Sequence, residues 1–184
     1  MENRELKQEV RRAAKGDEDA AAYLFDTYHP RVYRYVLAKL GSTSDAEDVA
    51  AETFAVVLRE LPRFKWKGAG FEAWLFRIAA NLVIDHVRRG GKEWTTLDGY
   101  VGADQPYDRT PERQLLEKEM SREIVELLDH LTAEQREVLL LRFAAGLDTN
   151  ETAETMGRKA NAVRQLQFRA LAALRERIEG EVRA

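Results

Sequence analysis

The sequence predicts an all-α fold made of two small helical domains joined by a flexible linker. Apolar residues recur at three- and four-residue spacing along most of the 184 residues, and no alternating run typical of a β-strand is present. Helix start signals are frequent, whereas one stretch rich in Gly, Pro, Asp and Thr has no periodicity. We expect an N-terminal domain at 1–92, an acidic flexible linker at 93–118 and a C-terminal domain at 119–184.

The composition is that of a globular protein, with 45% hydrophobic and 33% charged residues. No cysteine is present, which excludes disulfides and thiolate metal sites. The N-terminus has no apolar targeting core and no run reaches membrane-spanning length, so we expect a cytoplasmic protein without membrane insertion. His29, His86 and His130 have no acid or nucleophile at a useful spacing. The sequence therefore predicts neither an enzyme nor a metal or cofactor site.

Charge is distributed unevenly along the chain, although the net charge is only −3. Residues 63–92 carry seven basic and two acidic side chains, and residues 158–177 carry six basic and one acidic. Residues 93–120, between them, carry seven acids and three bases. Two positive segments separated by a negative one indicate two contact surfaces and a spacer.

The first marked helix start lies before an acidic patch. Ser44-Asp-Ala-Glu47 has the form of a capping box, and the helix should run to Leu61, which Pro62 follows. Acids at a helix N-terminus favour the macrodipole, which explains part of the patch. Glu52 lies beyond the first turn, so the macrodipole does not explain it. Binding of a basic protein partner is therefore the other interpretation of the patch. The acids of the patch are Asp45, Glu47, Asp48 and Glu52.

The helix from Phe71 to Arg89 is apolar on two sides and polar only on a narrow flank that carries Arg77, Asn81 and Arg88. Such a helix is held between neighbours and presents one strip to solvent. The preceding loop, KWKGAG, is too short and too rich in glycine to bury Trp66 easily. An exposed ring between Lys65 and Lys67 suits single-stranded nucleic acid, where stacking contributes about 1–3 kcal/mol per base.

The C-terminal part has helix-turn-helix form. Thr132-Ala-Glu-Gln135 starts a helix that ends at Gly146, and Asp148-Thr-Asn-Glu151 starts a short helix that stops at Gly157. A longer helix follows, whose core face holds Val163, Leu166, Ala170 and Leu174. A solvated charged face is the plain alternative for its other side, but a large ring among arginines favours contact with a major groove. The other side carries Asn161, Arg164, Gln165, Phe168, Arg169 and Arg175.

Taken together, these segments resemble the bacterial RNA polymerase sigma factors, in particular the extracytoplasmic-function class (group IV of the sigma-70 family). YHPRVYRYVLAKLG and DAEDVAAETF are similar to the first parts of the promoter-melting domain. RFKWKGAGFEAWLFRIAANLVIDHVRR is similar to the parts that capture the −10 element. The stretch from LTAEQREVLLLRFAAG to the recognition helix is similar to the domain that reads the −35 element.

The resemblance implies a role for each site. It implies polymerase contacts, on the β′ clamp helices, for Asp45, Glu47, Asp48, Glu52 and Phe54. It implies −10 contacts for Lys65, Trp66, Lys67, Phe71, Arg77, Asn81 and Arg88, with a base flipped from the non-template strand held at Asn81. It implies −35 contacts for Lys159, Asn161, Arg164, Gln165, Phe168 and Arg169. The acidic linker would thread toward the RNA exit path, and the other partners implied are the β flap and an anti-sigma factor.

Two other classes stay open. One is a helix-turn-helix regulator with an N-terminal sensing or interaction bundle, which would bind duplex operators without polymerase. The other is a polymerase-binding relative without promoter activity. Run-off transcription with core polymerase distinguishes the three.

Overall fold

The computed structural model describes residues 3–90 and 127–182, and both parts are helical, without a strand. The all-α prediction is therefore confirmed for the described residues, whereas the predicted linker at 93–118 lies entirely outside them. The N-terminal unit comprises α1 (Asn3–Ala13), α2 (Glu18–Leu40), α3 (Thr43–Glu60), a 3₁₀ turn (Leu61–Arg63) and α4 (Phe71–Gly90). The C-terminal unit comprises α5 (Ala133–Leu139), a π-helical turn (Leu140–Ala144), α6 (Thr149–Met156) and α7 (Ala160–Val182).

Local hydrogen bonds fix most helix starts where the sequence predicts them. Both C-terminal capping boxes form: Thr132 pairs reciprocally with Gln135, and Asp148 with Glu151. The predicted start at Ser44 is wrong by two residues. The Ser42 hydroxyl accepts the Asp45 N–H at 3.3 Å and so caps α3, while the Ser44 hydroxyl lies 3.2 Å from that of Ser42.

Aromatic rings fill the core between α2, α3 and α4. Tyr35, Phe71 and Phe76 are among the largest fully buried side chains, and burial of each contributes about 1.5–3 kcal/mol. The Tyr35 and Phe76 rings meet edge to face, with centroids 5.8 Å apart. Leu75, Ala79 and Val83 are also fully buried, and α4 packs against α2 and α3 of its own unit and against α6 of the other, in agreement with its two apolar sides.

The two units share apolar packing at the π-helical turn. Leu141 and Leu147 belong to the second unit by sequence, yet both are buried in the core cluster of the first. The wider turn is closed by the Ala145 N–H, which donates to the Leu140 carbonyl at 3.0 Å. A smaller core lies within the C-terminal unit itself and comprises Leu131, Val138, Leu139, Ala153, Val163 and Ala170.

Side chains of α2 bind the carbonyls at the end of this turn. Arg31 donates from Nε to the Ala145 carbonyl at 2.7 Å, and Arg34 donates to the Ala144 carbonyl at 3.5 Å. Cationic groups satisfy carbonyls that a helix C-terminus leaves without partners. The Tyr35 hydroxyl adds a bond to Glu137 at 2.6 Å. The two units are therefore joined by polar contacts as well as by packing.

Candidate nucleic-acid interface

The polar flank of α4 forms an exposed strip. Arg77, Asn81 and Arg88 are all exposed, at spacings that align them along one side of the helix. Ala79 and Val83, on the opposite side of the helix, are fully buried, so the strip faces solvent. The predicted exposure of this flank is confirmed, and its contact with DNA stays a prediction.

The loop before α4 places its rings differently from its sequence prediction. Lys65 and Lys67 are exposed, but Trp66 is half-buried and packs against the core, so the expectation of an exposed ring is wrong. The Phe64 ring meets it edge to face, with centroids 5.9 Å apart. Gly70 allows this approach because it has no side chain, whereas an added Cβ would lie 2.9 Å from the indole. Its φ of +86° is also a backbone conformation that other residues rarely adopt.

The Phe71 ring is only 1% exposed, and this corrects its predicted role as a direct DNA contact. It packs edge to face on Tyr28, with centroids 5.4 Å apart, and also contacts Phe64. Phe71 therefore anchors the loop to the bundle, because a ring enclosed by two others cannot stack on a base at the same time.

The first helix of the helix-turn-helix covers this loop. The Ala69 N–H donates to a carboxylate oxygen of Glu154, and Arg77 donates to the Glu154 carbonyl at 2.5 Å. Thr155 donates from its hydroxyl to the Ala73 carbonyl at 3.3 Å. We call these contacts of α6 with α4 and its loop the closed interface.

Two carboxyl groups meet within the closed interface. Glu72 of α4 and Glu151 of α6 lie next to each other, and Arg31 of α2 donates to Glu72 at 2.7 Å. Burial, with the neighbouring Glu72, raises the pKa of Glu151 to about 8. Burial would also raise the pKa of Glu72, but hydrogen bonds from Arg31, Glu151 and Tyr28 hold it below its ordinary value. Burial and the neighbouring Glu72 therefore favour the neutral form of Glu151, whereas Arg31 favours the charged form of Glu72.

The second predicted surface lies on α7. Gly157 ends α6 in the left-handed conformation at φ 64°. On the core face of α7, Val163 and Ala170 are fully buried, and Leu166 and Leu174 are partly buried. Arg164 donates to the Asn161 side chain at 2.6 Å, which orients both groups. The Phe168 ring is 75% exposed. Lys159, Asn161, Arg164, Gln165 and Arg169 are likewise exposed.

The acidic patch on α3 is only partly free for a partner. Glu47 and Asp48 are exposed, whereas Asp45 lies 3.6 Å from His86 Nε2, and Glu52 lies 4.0 Å from Arg89. These two partners of the patch come from the end of α4.

Phe54 is 4% exposed, which corrects its predicted role as a direct polymerase contact. Its ring meets the exposed Phe25 ring edge to face, with centroids 4.9 Å apart, and His29 stacks on Phe25 at 4.6 Å. Sequence reasoning missed this stacked pair of an exposed Phe25 and a half-buried His29, although the two stand at i, i+4 spacing on α2.

No group of three or more metal-ligating side chains is found within residues 3–90 and 127–182. A search of the same residues finds no helix with the length and apolar content to cross a membrane.

Comparison with known families matches both units. The model of sigma-70 region 2 matches residues 24–93, and that of sigma-70 region 4 matches residues 121–174. SigD of Mycobacterium tuberculosis, an ECF RNA polymerase sigma factor, is 35% identical over 182 residues, covering 97% of this chain and 86% of that protein. This chain belongs to the ECF RNA polymerase sigma factors. As a sigma factor it is a DNA-binding protein that acts in transcription initiation.

Other relatives agree with this family. The ECF sigma factor BldN of Streptomyces coelicolor is 35% identical over 174 residues, which cover 95% of this sigma factor and 66% of BldN. Among solved structures, CnrH in complex with the cytosolic domain of CnrY has the same fold, with a TM-score of 0.70 at 24% identity over 94% of this chain and 96% of that one.

Proposed function

We propose that this sigma factor binds core RNA polymerase, reads the −35 element as duplex and captures a flipped base of the melted −10 element. The observation that carries the proposal is the exposed strip of Arg77, Asn81 and Arg88 on a helix whose opposite sides are anchored in the core by residues such as Leu75, Phe76 and Val83. A buried scaffold holds the strip rigidly, and a rigid site binds its ligand with less loss of conformational freedom.

At the −10 element, Asn81 would hydrogen-bond the edge of the flipped base, since an amide offers both donors and an acceptor. Arg77 and Arg88 flank it along the strip and would hold phosphates, and Lys65 and Lys67 would extend the positive surface into the loop. Trp66 packs on the bundle, so its part would be to shape the loop rather than to stack on a base.

At the −35 element, α7 would lie in the major groove. Arg164 and Arg169 would reach guanine edges or phosphates, and the exposed Phe168 ring would contact thymine methyl groups. Lys159 would contact a phosphate next to Asn161 at the helix start. The domains proposed for these roles are 1–92 and 119–184, with 93–118 as the acidic linker toward the RNA exit path.

The polymerase surface would comprise the exposed acids of α3 against the β′ clamp helices, with the C-terminal domain on the β flap. Of the predicted acids, Glu47 and Asp48 are exposed and would contact the polymerase directly. Glu52 would exchange its ion pair with Arg89 for one with a polymerase cation. Phe54 would support this surface from beneath through Phe25.

We also propose an anti-sigma factor as a partner and the cytoplasm as the place of action. Solved proteins of the same fold include CnrH bound to CnrY, and RpoE of Bartonella quintana bound to the anti-sigma factor NepR, at a TM-score of 0.63 and 19% identity. The proposed role is non-enzymatic, because sigma factors direct the polymerase and perform no catalysis themselves.

The test is run-off transcription with purified core polymerase on a promoter selected from genomic fragments. Asn81→Ala should slow open-complex formation roughly 5- to 150-fold, because loss of a good base contact costs about 1–3 kcal/mol. The same variant should bind core polymerase normally. Asp26→Ala, an exposed side chain on α2, is the control and should change neither measurement.

A second pair of variants addresses the −35 element. Arg164→Ala and Arg169→Ala should weaken binding to the −35 duplex and leave binding of single-stranded −10 DNA unchanged. Normal melting by Asn81→Ala would refute the base-pocket assignment. Duplex binding without any polymerase-dependent transcription would instead indicate a helix-turn-helix regulator.

A further inference from the structure

The first helix carries a basic stripe that none of the roles above uses. Arg4, Lys7 and Arg11 follow each other at spacings of three and four residues, so they align on one side of α1, and Lys15 extends the line into the next turn. The buried Val10 marks the core side of the helix. We call Arg4, Lys7, Arg11 and Lys15 the α1 stripe.

The stripe is electrostatically open. Among the described residues, no carboxylate lies within ion-pair distance of its four cations. Arg12, which lies beside the stripe on the same helix, is in contrast bound to Glu9 at 3.1 Å and to Asp17 at 2.8 Å. The stripe therefore keeps its charge available for an external anion, whereas Arg12 serves the local structure.

The stripe also borders an open groove of about 390 Å³. Every side chain that lines this groove is polar or cationic: Arg4, Lys7, Gln8, Arg11, Arg12 and Lys15. A groove with this lining suits an extended polyanion better than an apolar ligand.

The stripe is continuous with the loop before α4, residues 65–70, which we call the −10 loop after its proposed ligand. The Lys7 ammonium lies 5.1 Å from the centroid of the Trp66 ring, so the two elements are in direct contact through a cation–π interaction. Lys65 and Lys67, on either side of Trp66, are exposed. A strand held at the loop therefore has a row of cations beside it.

The side chains of the stripe favour phosphate over the other anionic partners. The cations repeat about every 5–6 Å along α1, given a rise of about 1.5 Å per residue, and arginine binds phosphate in bidentate fashion. A membrane surface would require apolar residues beside the cations, and a protein partner would require an aromatic or aliphatic anchor. The groove lining supplies neither.

We propose that the α1 stripe binds the sugar-phosphate backbone of the promoter strand whose bases meet the −10 loop. The contact is independent of base sequence and positions the strand for the Asn81 strip. This inference rests on the proposed function, because it takes the −10 loop to be a DNA-binding loop.

The test uses holoenzyme assembled from the full chain and core polymerase, with a fork-junction DNA whose −10 segment is single-stranded. In Arg4→Gln/Arg11→Gln/Lys15→Gln, three phosphate contacts are lost, and Lys7 is left in place to support Trp66. The slope of log affinity against log salt should fall by about 2, since each contact to a single strand contributes about 0.7. Affinity at about 0.1 M salt should fall roughly 10- to 100-fold.

Three controls make the result specific. Arg59→Gln removes an exposed cation of α3 that is ion-paired to Glu60 at 3.2 Å and does not line the groove, and it should leave the salt slope unchanged. Arg4→Lys/Arg11→Lys keeps the charge and should retain most of the slope, which shows that folding is not the cause. Neutral methylphosphonate linkages beside the −10 segment should weaken the wild-type holoenzyme as the triple variant does.

An unchanged salt slope in a triple variant that assembles and unfolds like the wild type would overturn the proposal. So would a variant that loses affinity for core polymerase but keeps its affinity for DNA, because the stripe would then be a protein surface. Failure of the proposed function has a different signature, since the wild-type holoenzyme itself would then not bind the fork junction.

Discussion

Raising the pH through the pKa of Glu151 should open the closed interface. The raised pKa of Glu151 favours its neutral form beside Glu72, and loss of its proton leaves two carboxylates facing each other. The other groups that face the pair are Arg31 and Tyr28 from α2, and Asp148 at the start of α6 itself. Arg31 already binds Glu72, so it cannot neutralise a second charge fully.

The sign and size follow from proton linkage. The pKa of Glu151 is raised in the closed state, so its contribution to closure is complete below its ordinary value of 4.5 and is lost as the pH rises through about 8. If the full difference in the pKa of Glu151 between the open and closed states applied, the equilibrium constant for closure would fall roughly fifty-fold between about pH 6 and pH 8. Because Glu151 is half-buried and water screens the pair, we expect about five- to tenfold. The lowered pKa of Glu72 acts in the opposite sense, but only as the pH falls below its ordinary value of 4.5.

Fluorescence energy transfer between the two units measures this equilibrium. The chain contains no cysteine, so Ala55→Cys on α3 and Glu176→Cys on α7, both at exposed positions, give two specific dye sites. Transfer should fall between about pH 6 and pH 9. Glu151→Gln keeps a neutral donor toward Glu72 and should remain closed throughout, while Asp26→Asn should behave as the wild type. Equal pH dependence in Glu151→Gln would refute the assignment of the proton.

Two further predictions concern stability. Leu141→Ala should lower the free energy of unfolding by about 2–5 kcal/mol, because Leu141 is fully buried in the core, whereas Phe143→Ala, at 66% exposure in the same turn, should cost under about 1 kcal/mol. Urea unfolding measures both, and equal losses would contradict the packing described for the turn. Asp148→Ala should cost about 1 kcal/mol through loss of the α6 cap, and Asp148→Asn should retain most of it, as judged by thermal unfolding followed by circular dichroism. A loss in Asp148→Asn as large as in Asp148→Ala would implicate the charge rather than the cap.

Features that depend on neighbouring residues could be predicted from the sequence. The two apolar sides of α4 follow from a 3.6-residue period, and the capping boxes at Thr132 and Asp148 are complete within four residues. The α3 start was misplaced because several hydroxyl groups in a row could cap it. The choice of Ser42 depends on the left-handed turn at Gly41, φ 69°, immediately before it.

Features that depend on distant residues could not be predicted. Trp66 is half-buried because Phe64, Gly70 and the distant Lys7 converge on it. The bond from the Ala69 N–H to Glu154 joins residues 85 positions apart, and no local pattern indicates it. The exposed face of α7 could be predicted because its charged and apolar residues fall on opposite sides of one helix with a 3.6-residue period. This pattern is contained in the helix itself and does not depend on the other unit.

The π-helical turn determines how the two units are rotated against each other. A π-turn contains one residue more than the α-helical turn it replaces, and each residue of an α-helix corresponds to about 100° of rotation. Removal of a single residue between Leu140 and Ala144 would therefore turn everything that follows by roughly that angle. The carboxylate of Glu154 would then point away from Ala69, although every residue of both units would be retained. Chain length at this one turn can thus adjust how readily the two proposed DNA-binding surfaces separate, independently of the residues assigned to DNA contact.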